Sequence, residues 1–394
     1  MIVKPKIRDF ICTTAHPKGA FENVKRQIEY IKSKEKINES ENALIIGCST
    51  GYGLSSRIAA AFLKGCNTLG VMYEKEAKNK RTATAGWYNT AFFEEFALKE
   101  GLYAKTINAD AFSEETMEKV IKIIKKDLNK ISLIIYSLAA PRRTMPDGTI
   151  VSSVLKTTNE EFKSKSLNLE TKEVFEVLIP PATEEETKNT IKVMGGDNLK
   201  RWIEKLNDAD VLEKNTKVIS FSYEGPDLTH KIYKDGTIGK AKQNLLEATN
   251  EINKKYENIK AYVSLNKALV TQSSAAIPVV PLYLTILYKI MKEQNLHEGC
   301  IEQAYRLFKE KLTKNPKLDE KNRIRLDDYE MLPSVQQEVK KAWEKVNTTN
   351  LEDFADLEGY KKDFLNMFGF SFENVNYDED VDVNIKIKSL SNEI

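Results

Sequence analysis

The stretch from residue 42 to residue 53 reads Asn-Ala-Leu-Ile-Ile-Gly-Cys-Ser-Thr-Gly-Tyr-Gly: a short apolar run, then glycines spaced Gly47-x3-Gly51-x-Gly53. A helical pattern follows at once over 55–64, with Ile58, Ala59, Phe62 and Leu63 at helical spacing. Strand, glycine turn and helix in that order form a βα unit whose backbone N–H groups can be brought against a pyrophosphate. The helix N-terminus adds unpaired donors and partial positive charge. The spacing is looser than the commonest GxGxxG and matches the form found in short-chain dehydrogenases. An unliganded turn, or the nucleoside site of a methyl donor, would use a similar loop.

The chain repeats this alternation. Further strands are predicted at 68–73, 103–108 and 131–136, with a patterned helix around Val120, Ile121, Ile123 and Ile124. Near-continuous apolar strands alternating with helices imply a parallel sheet covered on both faces, hence a Rossmann-like, doubly wound α/β fold. Two later strands are expected at 217–223 and 259–265. Between 141 and 215 the pattern is polar and irregular, with Pro180-Pro181 and Gly195-Gly196, and reads as an insertion covering the mouth of the sheet. From residue 275 the chain reads as helical, and the charged remainder as helix-rich, with an acidic stretch at 378–382. The whole, 1–394, is expected to be one elaborated domain. It divides into a first dinucleotide-binding half (42–140), the covering insertion (141–215), a catalytic second half (216–290) and a helical C-terminal extension (291–394).

Composition narrows the class of partner. The 394 residues carry 60 Lys+Arg against 58 Asp+Glu, a net charge of +2, and a nucleic-acid binder usually shows a larger basic excess. The four cysteines (Cys12, Cys48, Cys66, Cys300) form no CxxC, so a reducing compartment is expected. The three histidines (His16, His230, His297) have no ligand pattern around them, and no metal is expected. The longest apolar stretch, 275–288, contains Pro278 and Pro281 and is too short to span ~30 Å of hydrocarbon. A soluble, cytoplasmic protein is the expectation.

Several residues at predicted strand ends extend the nucleotide reading. Glu74 ends the second strand about 20 residues beyond the glycines, where an acid accepts hydrogen bonds from the adenosine ribose hydroxyls. Such an acid repels a 2′-phosphate, favouring NADH over NADPH; methyltransferases place an acid similarly. Asp110, followed by Ala111, ends the third strand, where adenine would sit. Ser137-Leu-Ala-Ala140 ends the fourth, near the nicotinamide ribose. Cys48 reads as a small filler within the loop. Arg142 and Arg143 suit either a substrate phosphate or solvent. The stretch 275–288 suits either an ordinary core helix or a wall of an acyl pocket.

A reductase of this kind needs an acidic donor near the nicotinamide, and a tyrosine beside a lysine supplies one. Four Tyr-x3-Lys pairs occur, at Tyr30/Lys34, Tyr256/Lys260, Tyr288/Lys292 and Tyr305/Lys309. None follows the fifth strand, where a short-chain dehydrogenase carries its pair. Tyr223 and Tyr233 do, and Tyr233 begins a Tyr-x8-Lys arrangement ending at Lys242. On one unbroken helix nine residues turn through roughly 900°, onto opposite faces. Asp235-Gly236 reads as a turn and Gly239 as a second break, so Lys242 is expected to point back at Tyr233 from the next helix. Lys240 competes for the role.

The segments Gly47-Cys-Ser-Thr-Gly-Tyr-Gly-Leu-Ser-Ser-Arg57, Ser137-Leu-Ala-Ala-Pro-Arg-Arg143, Ser222-Tyr-Glu-Gly225, Tyr233-x8-Lys242, Leu269-Val-Thr-Gln272, Ile277-Pro278, His297-Glu-Gly-Cys300 and Phe368-Gly-Phe370 together resemble trans-2-enoyl-CoA reductases and the FabV-type enoyl-ACP reductases. The resemblance covers nearly the whole chain. It implies a monomeric Rossmann-type reductase that uses NADH without flavin to reduce the C2–C3 double bond of a trans-2-enoyl thioester of CoA or acyl carrier protein. By the same resemblance Tyr233 is the proton donor, Lys242 binds NAD and Tyr223 contacts substrate. Cofactor contacts fall on Gly47, Cys48, Ser49, Thr50, Gly51, Tyr52, Gly53, Tyr73, Glu74, Asp110, Ala111, Leu138, Ala139, Val270, Thr271 and Gln272. The rival readings are another NAD(P)-dependent carbonyl reductase and a non-enzymatic NAD-binding sensor.

Overall fold

The strand before the glycine turn is β1 (Asn42–Ile46), in the interior of a seven-stranded sheet. The others are β2 (Asn67–Met72), β3 (Ala104–Asn108), β4 (Ile131–Tyr136), β5 (Leu212–Ser222), β6 (Ile259–Leu265) and β7 (Arg323–Arg325). Their order is β3-β2-β1-β4-β5-β6-β7, with every pairing parallel. This is the doubly wound Rossmann order extended by one strand. The order in which successive strands are added switches side between β1 and β4, which places a ligand crevice beyond their carboxyl ends. The computed structural model describes residues 1–8, 11–37, 39, 41–271, 274 and 277–391.

Helices on both faces explain the continuous apolar strands. Ile45 and Ile135 pack into one buried layer; Leu44, Ile46 and Ile134 pack into the other. The first layer contains α1 (Pro17–Lys32), α2 (Gly51–Lys64) and α3 (Ala85–Lys99); the second contains α4 (Glu114–Ile123).

The insertion is more regular than its sequence pattern. It holds hairpins Arg142–Thr144/Ile150–Ser152 and Phe162–Asn168/Glu173–Ile179, then α5 (Glu184–Met194) and α6 (Asp197–Asp208). The hairpin strands pair mainly with each other and stay half exposed, so they need no apolar run. After β5 come α7 (Thr237–Lys255), α8 (Val280–Glu293), α9 (Cys300–Arg306), α10 (Pro333–Lys345) and α11 (Leu357–Asn366). Both α10 and α11 pack on α8. The expected helical extension is thus interrupted by β7 and closes with a tail that has no regular structure over 371–387 before a last helical turn, Lys388–Ser391. That tail runs back to the edge strand β3. Trp87 Nε1 donates to Ile385 O (2.7 Å), Tyr88 Oη to Val383 O (2.8 Å) and the Thr106 amide to Ser389 Oγ (3.0 Å). Its acidic stretch pairs with the N-terminal segment through the Met1 amine and Asp380, Lys4 and Asp378, and Lys18 and Glu379.

Candidate active site

The glycine turn is built by crowding on one side and left open on the other. Gly47 and Cys48 N–H both donate to Val71 O (2.9 and 3.2 Å), which ties the turn to β2. Gly47 has φ +85°, and a Cβ there would stand 2.4 Å from Ser137 O; at Gly53 it would stand 1.8 Å from Gly47 O. Gly51, at φ +52°, has nothing within 4 Å of that position. The helix starts here, earlier than the predicted 55. Thr50 makes no side-chain cap, and the first turn of α2 carries no acid. Open space before uncapped helix donors fits a pyrophosphate. Cys48 turns inward, where Arg57 Nη1 donates to its Sγ (3.6 Å), and burial pushes its thiol pKa up. The Tyr52 hydroxyl donates to Lys267 O (2.6 Å) beyond β6.

Glu74 stands just past β2. Its backbone is clamped by Asn108 through paired bonds of 2.7 and 2.9 Å, and its carboxylate accepts from Ser49 Oγ (2.6 Å). Gly86, in the first turn of α3, makes room for it, since a Cβ there would lie 2.1 Å from Glu74 Oε1. Neighbouring Tyr73 is 80% exposed, a free ring beside this acid. Asp110 Oδ1 accepts the Phe112 amide (2.9 Å), and Ala111 O accepts Trp202 Nε1 (2.9 Å). Leu138 lies against the glycine turn, and Ala139 is exposed. The Val270 amide donates to Tyr288 Oη (3.0 Å) and the Thr271 amide to Ser274 Oγ (2.8 Å). Gln272 lies outside the described residues. All the others sit beyond the carboxyl ends of β1, β2, β3, β4 and β6.

The two tyrosines meet just beyond β5, and the lysine is bonded to the last residues of the same strand. The Tyr223 and Tyr233 rings stand edge to face, with centroids 4.7 Å apart. The Tyr223 hydroxyl donates to Glu330 Oε1 (3.0 Å). The Tyr233 hydroxyl has no hydrogen-bond partner among the described residues; burial raises its pKa well above the usual phenol value. Lys242 Nζ donates to Phe221 O (2.9 Å), one residue from the strand end. Desolvation takes its ammonium down to about 8. Lys240 is exposed, which leaves Lys242 as the lysine on the strand-end side.

The expected second break at Gly239 is absent, because α7 starts at Thr237 and runs through it. The glycine serves a close approach instead: a Cβ there would lie 1.9 Å from Lys234 O and 2.4 Å from Tyr233 O. One turn at 235–236 therefore folds the tyrosine back along the helix that carries the lysine. The insertion braces this turn. The Thr237 amide donates to Lys156 O (2.9 Å), Thr158 Oγ1 donates to Asp235 O (2.6 Å), and Leu167 and Ile179 of the longer hairpin share an apolar cluster with Tyr233 and Ile238.

Arg143 meets neither sequence expectation. It is buried, donating to Lys192 O (2.8 Å) and Asp197 Oδ2 (2.9 Å) as an internal tie, while Arg142 is exposed. Leu282, Leu284, Ile286 and Leu287 make α8 a core helix, in the same apolar cluster as Tyr233. Sequence reasoning missed Glu330, Tyr283 and Lys267. Glu330 lies in a charged stretch, Asp327-Asp-Tyr-Glu330, with nothing in its spacing to mark it.

Residues 81–313 match the family model described as the trans-2-enoyl-CoA reductase catalytic region. Residues 2–79 match the NAD(P)H binding domain of trans-2-enoyl-CoA reductase, and 318–381 an enoyl reductase FAD binding domain. The trans-2-enoyl-CoA reductase [NADH] of Ruminiclostridium cellulolyticum is 52% identical over 381 residues, covering 96% of both chains. The enoyl-[acyl-carrier-protein] reductase [NADH] of Idiomarina loihiensis is 51% identical over 382 residues, 96% of this chain and 97% of that one. The crystal structure of Clostridium acetobutulicum trans-2-enoyl-CoA reductase in complex with NADH superposes with a TM-score of 0.95 at 42% identity, covering 98% of this chain and 100% of that one. The Treponema denticola enzyme in complex with NAD gives 0.94 at 46%, covering 97% and 98%.

The tract 318–381 packs its glycines and much of its apolar surface against the rest of the chain. Its two glycines face packed atoms: a Cβ at Gly359 would lie 2.1 Å from Asp356 Oδ2, and one at Gly369 would lie 2.4 Å from His16 O. Its apolar side chains, Val335, Val339, Ala342 and Tyr360 among them, are spent on the cluster around α8. What the tract does send into the site is Glu330.

Proposed function

The chain belongs to the trans-2-enoyl-CoA reductase family, and from that premise we propose that it reduces the C2–C3 double bond of trans-2-enoyl thioesters with NADH. The proposal treats 1–394 as one elaborated Rossmann unit, with the cofactor across 42–140 and the chemistry on 216–290. The open face of Gly51 and the uncapped start of α2 suit the pyrophosphate, and Glu74 suits the adenosine ribose hydroxyls. Asp110 and Ala111 would border the adenine, and Leu138, Ala139, Val270, Thr271 and Gln272 the nicotinamide end. NADH, when bound, supplies the hydride that adds at Cβ of the substrate.

Negative charge then develops on the thioester oxygen as an enolate, and Cα takes up a proton. One arrangement carries the assignment of the donor. Of the two phenols in contact, Tyr223 has its proton committed to Glu330, whereas Tyr233 has a hydroxyl free to donate. Burial keeps Tyr233 in its neutral, donating form at physiological pH. Lys242, held by Phe221 O, would hold the nicotinamide ribose and favour the tyrosinate as the proton leaves. Tyr223 would form the wall against which the thioester lies.

NADH oxidation with crotonyl-CoA, its carrier-protein counterpart and a panel of ketones tests the assignment. Saturable oxidation with a thioester is expected; activity confined to ketones would overturn it. Turnover of both thioesters would accord with the two names carried by relatives of equal similarity. The working unit is proposed to be the single chain, and the four free thiols accord with a reducing, cytoplasmic setting.

A further inference from the structure

We propose that Glu330 is a positioning residue for the reduction: a buried carboxylate that fixes Tyr223, Tyr283 and the Ala268 amide, and through Tyr223 sets the placement of Tyr233. The proposal rests on the catalytic reading above. Glu330 is fully buried. Its Oε1 accepts from Tyr223 Oη (3.0 Å) and Tyr283 Oη (2.6 Å), and its Oε2 accepts from the Ala268 amide (2.6 Å). The three donors come from three separate walls of the site: the segment after β5, helix α8, and the loop after β6 that leads to Val270 and Thr271.

The direction of each bond is constrained. Gln336 Nε2 donates to Tyr283 Oη (3.3 Å) and to Glu330 O (2.7 Å). With its oxygen accepting from that amide, Tyr283 has its own proton free for the carboxylate. Burial pushes the Glu330 pKa up, while the Lys267 charge and the bonds from Tyr283 and the Ala268 amide favour the ionised form; as a carboxylate it accepts from all three donors, and such charge-assisted bonds are the strong ones. Lys267, the neighbouring cation, spends its Nζ on Ala268 O (2.9 Å) and forms no ion pair with Glu330 among the described residues. The network is therefore a receptacle for donors, with the Tyr223 proton turned away from the substrate. That leaves the 4.7 Å edge-to-face contact as the surface on which the Tyr233 ring rests. Loss of the carboxylate frees the Tyr223 hydroxyl to rotate and to compete for the thioester oxygen.

A double-mutant cycle in the full chain tests this. In Glu330→Gln the single amide oxygen can still take the Ala268 amide, while the NH2 faces two phenols that had been donors. Turnover of crotonyl-CoA is expected to fall about tenfold, because small misplacements at a reacting centre are costly. KM for NADH should stay within about threefold. Glu330→Asp, with the charge kept but the reach shortened, should fall between wild type and Glu330→Gln. In a Tyr223→Phe background, Glu330→Gln should add less than about twofold, since groups acting as a unit are not additive. A folded Glu330→Gln with unchanged kcat, or the same fold loss in both backgrounds, would overturn the proposal. If Glu330→Gln does not fold, unchanged kcat in Glu330→Asp overturns it, and lowered kcat that Tyr223→Phe masks supports it. Wild-type protein inactive on thioesters would instead overturn the functional reading, and this role with it.

Discussion

Two phenols in van der Waals contact differ in what each hydroxyl meets: Tyr223 donates to Glu330, while Tyr233 has no hydrogen-bond partner among the described residues. The same logic separates the lysines. Lys242 is desolvated, bonded to one carbonyl and without a carboxylate partner among the described residues, so its charge is costly in the free protein. The folded value of about 8 lies below the unfolded 10.5, so the folded chain binds fewer protons in that window. Its contribution to stability therefore rises as pH climbs from about 8 to 10.5. Lys267, also lowered to about 8, acts in the same direction. Lys242→Met is expected to raise the Tm at pH 7 while weakening NADH binding at least tenfold; calorimetry and fluorescence titration check the pair. A lower Tm would contradict the cost assigned to the ammonium. Glu74→Gln is expected to shrink the NADH/NADPH ratio of kcat/KM, and an unchanged ratio would remove Glu74 from the ribose. Such residues were legible because parallel strands bring their carboxyl ends together, so a glycine turn and acids at strand ends identify one another. Glu330 was not legible: its partners Tyr223 and Ala268 stand 107 and 62 positions away, and no local period joins them.

Among the elements, α7 and its approach carry the main lesson. The sequence implied that Tyr233 and Lys242 cannot share one straight helix, and the turn at 235–236 bears this out. Gly239 was misread because glycine marks a break and a close approach equally well, and only coordinates distinguish them. Gly239→Ala is expected to destabilise the fold by about 1–3 kcal/mol, since its Cβ would strike the Lys234 carbonyl. Denaturant titration measures this, and a kcat loss beyond the change in folded fraction would show the tyrosine displaced. Strands covered by helices on both faces were legible as apolar runs. Strand β7, with the sequence Arg-Ile-Arg, is too short to show a period, and the hairpins of the insertion are half exposed.

For the whole molecule, the tail closes the structure at the β3 edge, four strands along the sheet from β5. Val381, Val383 and Ile387 are buried, and Ser389 bonds to Glu94 and Thr106 beside the edge strand. Deleting residues 376–394 would expose β3 and strip those apolar groups, each worth about 1.5–3 kcal/mol when fully buried. A lower Tm and edge-driven aggregation are expected, with kcat per folded molecule unchanged; a selective loss of kcat would tie the tail to the site. The acidic stretch accounts for the ion pairs to the N-terminal segment but gave no hint of the contacts with α3 and β3, whose polar anchors are backbone carbonyls and one serine.

The central claim is that a free, buried phenol at the end of β5 serves the developing enolate. Comparing kcat on crotonyl-CoA with the NADH dissociation constant in Tyr233→Phe addresses it most directly. That hydroxyl has no partner to lose among the described residues, so NADH affinity and Tm should hold while kcat falls by ~10²–10³. Turnover within a fewfold of wild type would contradict the assignment and transfer the donor role to Tyr223.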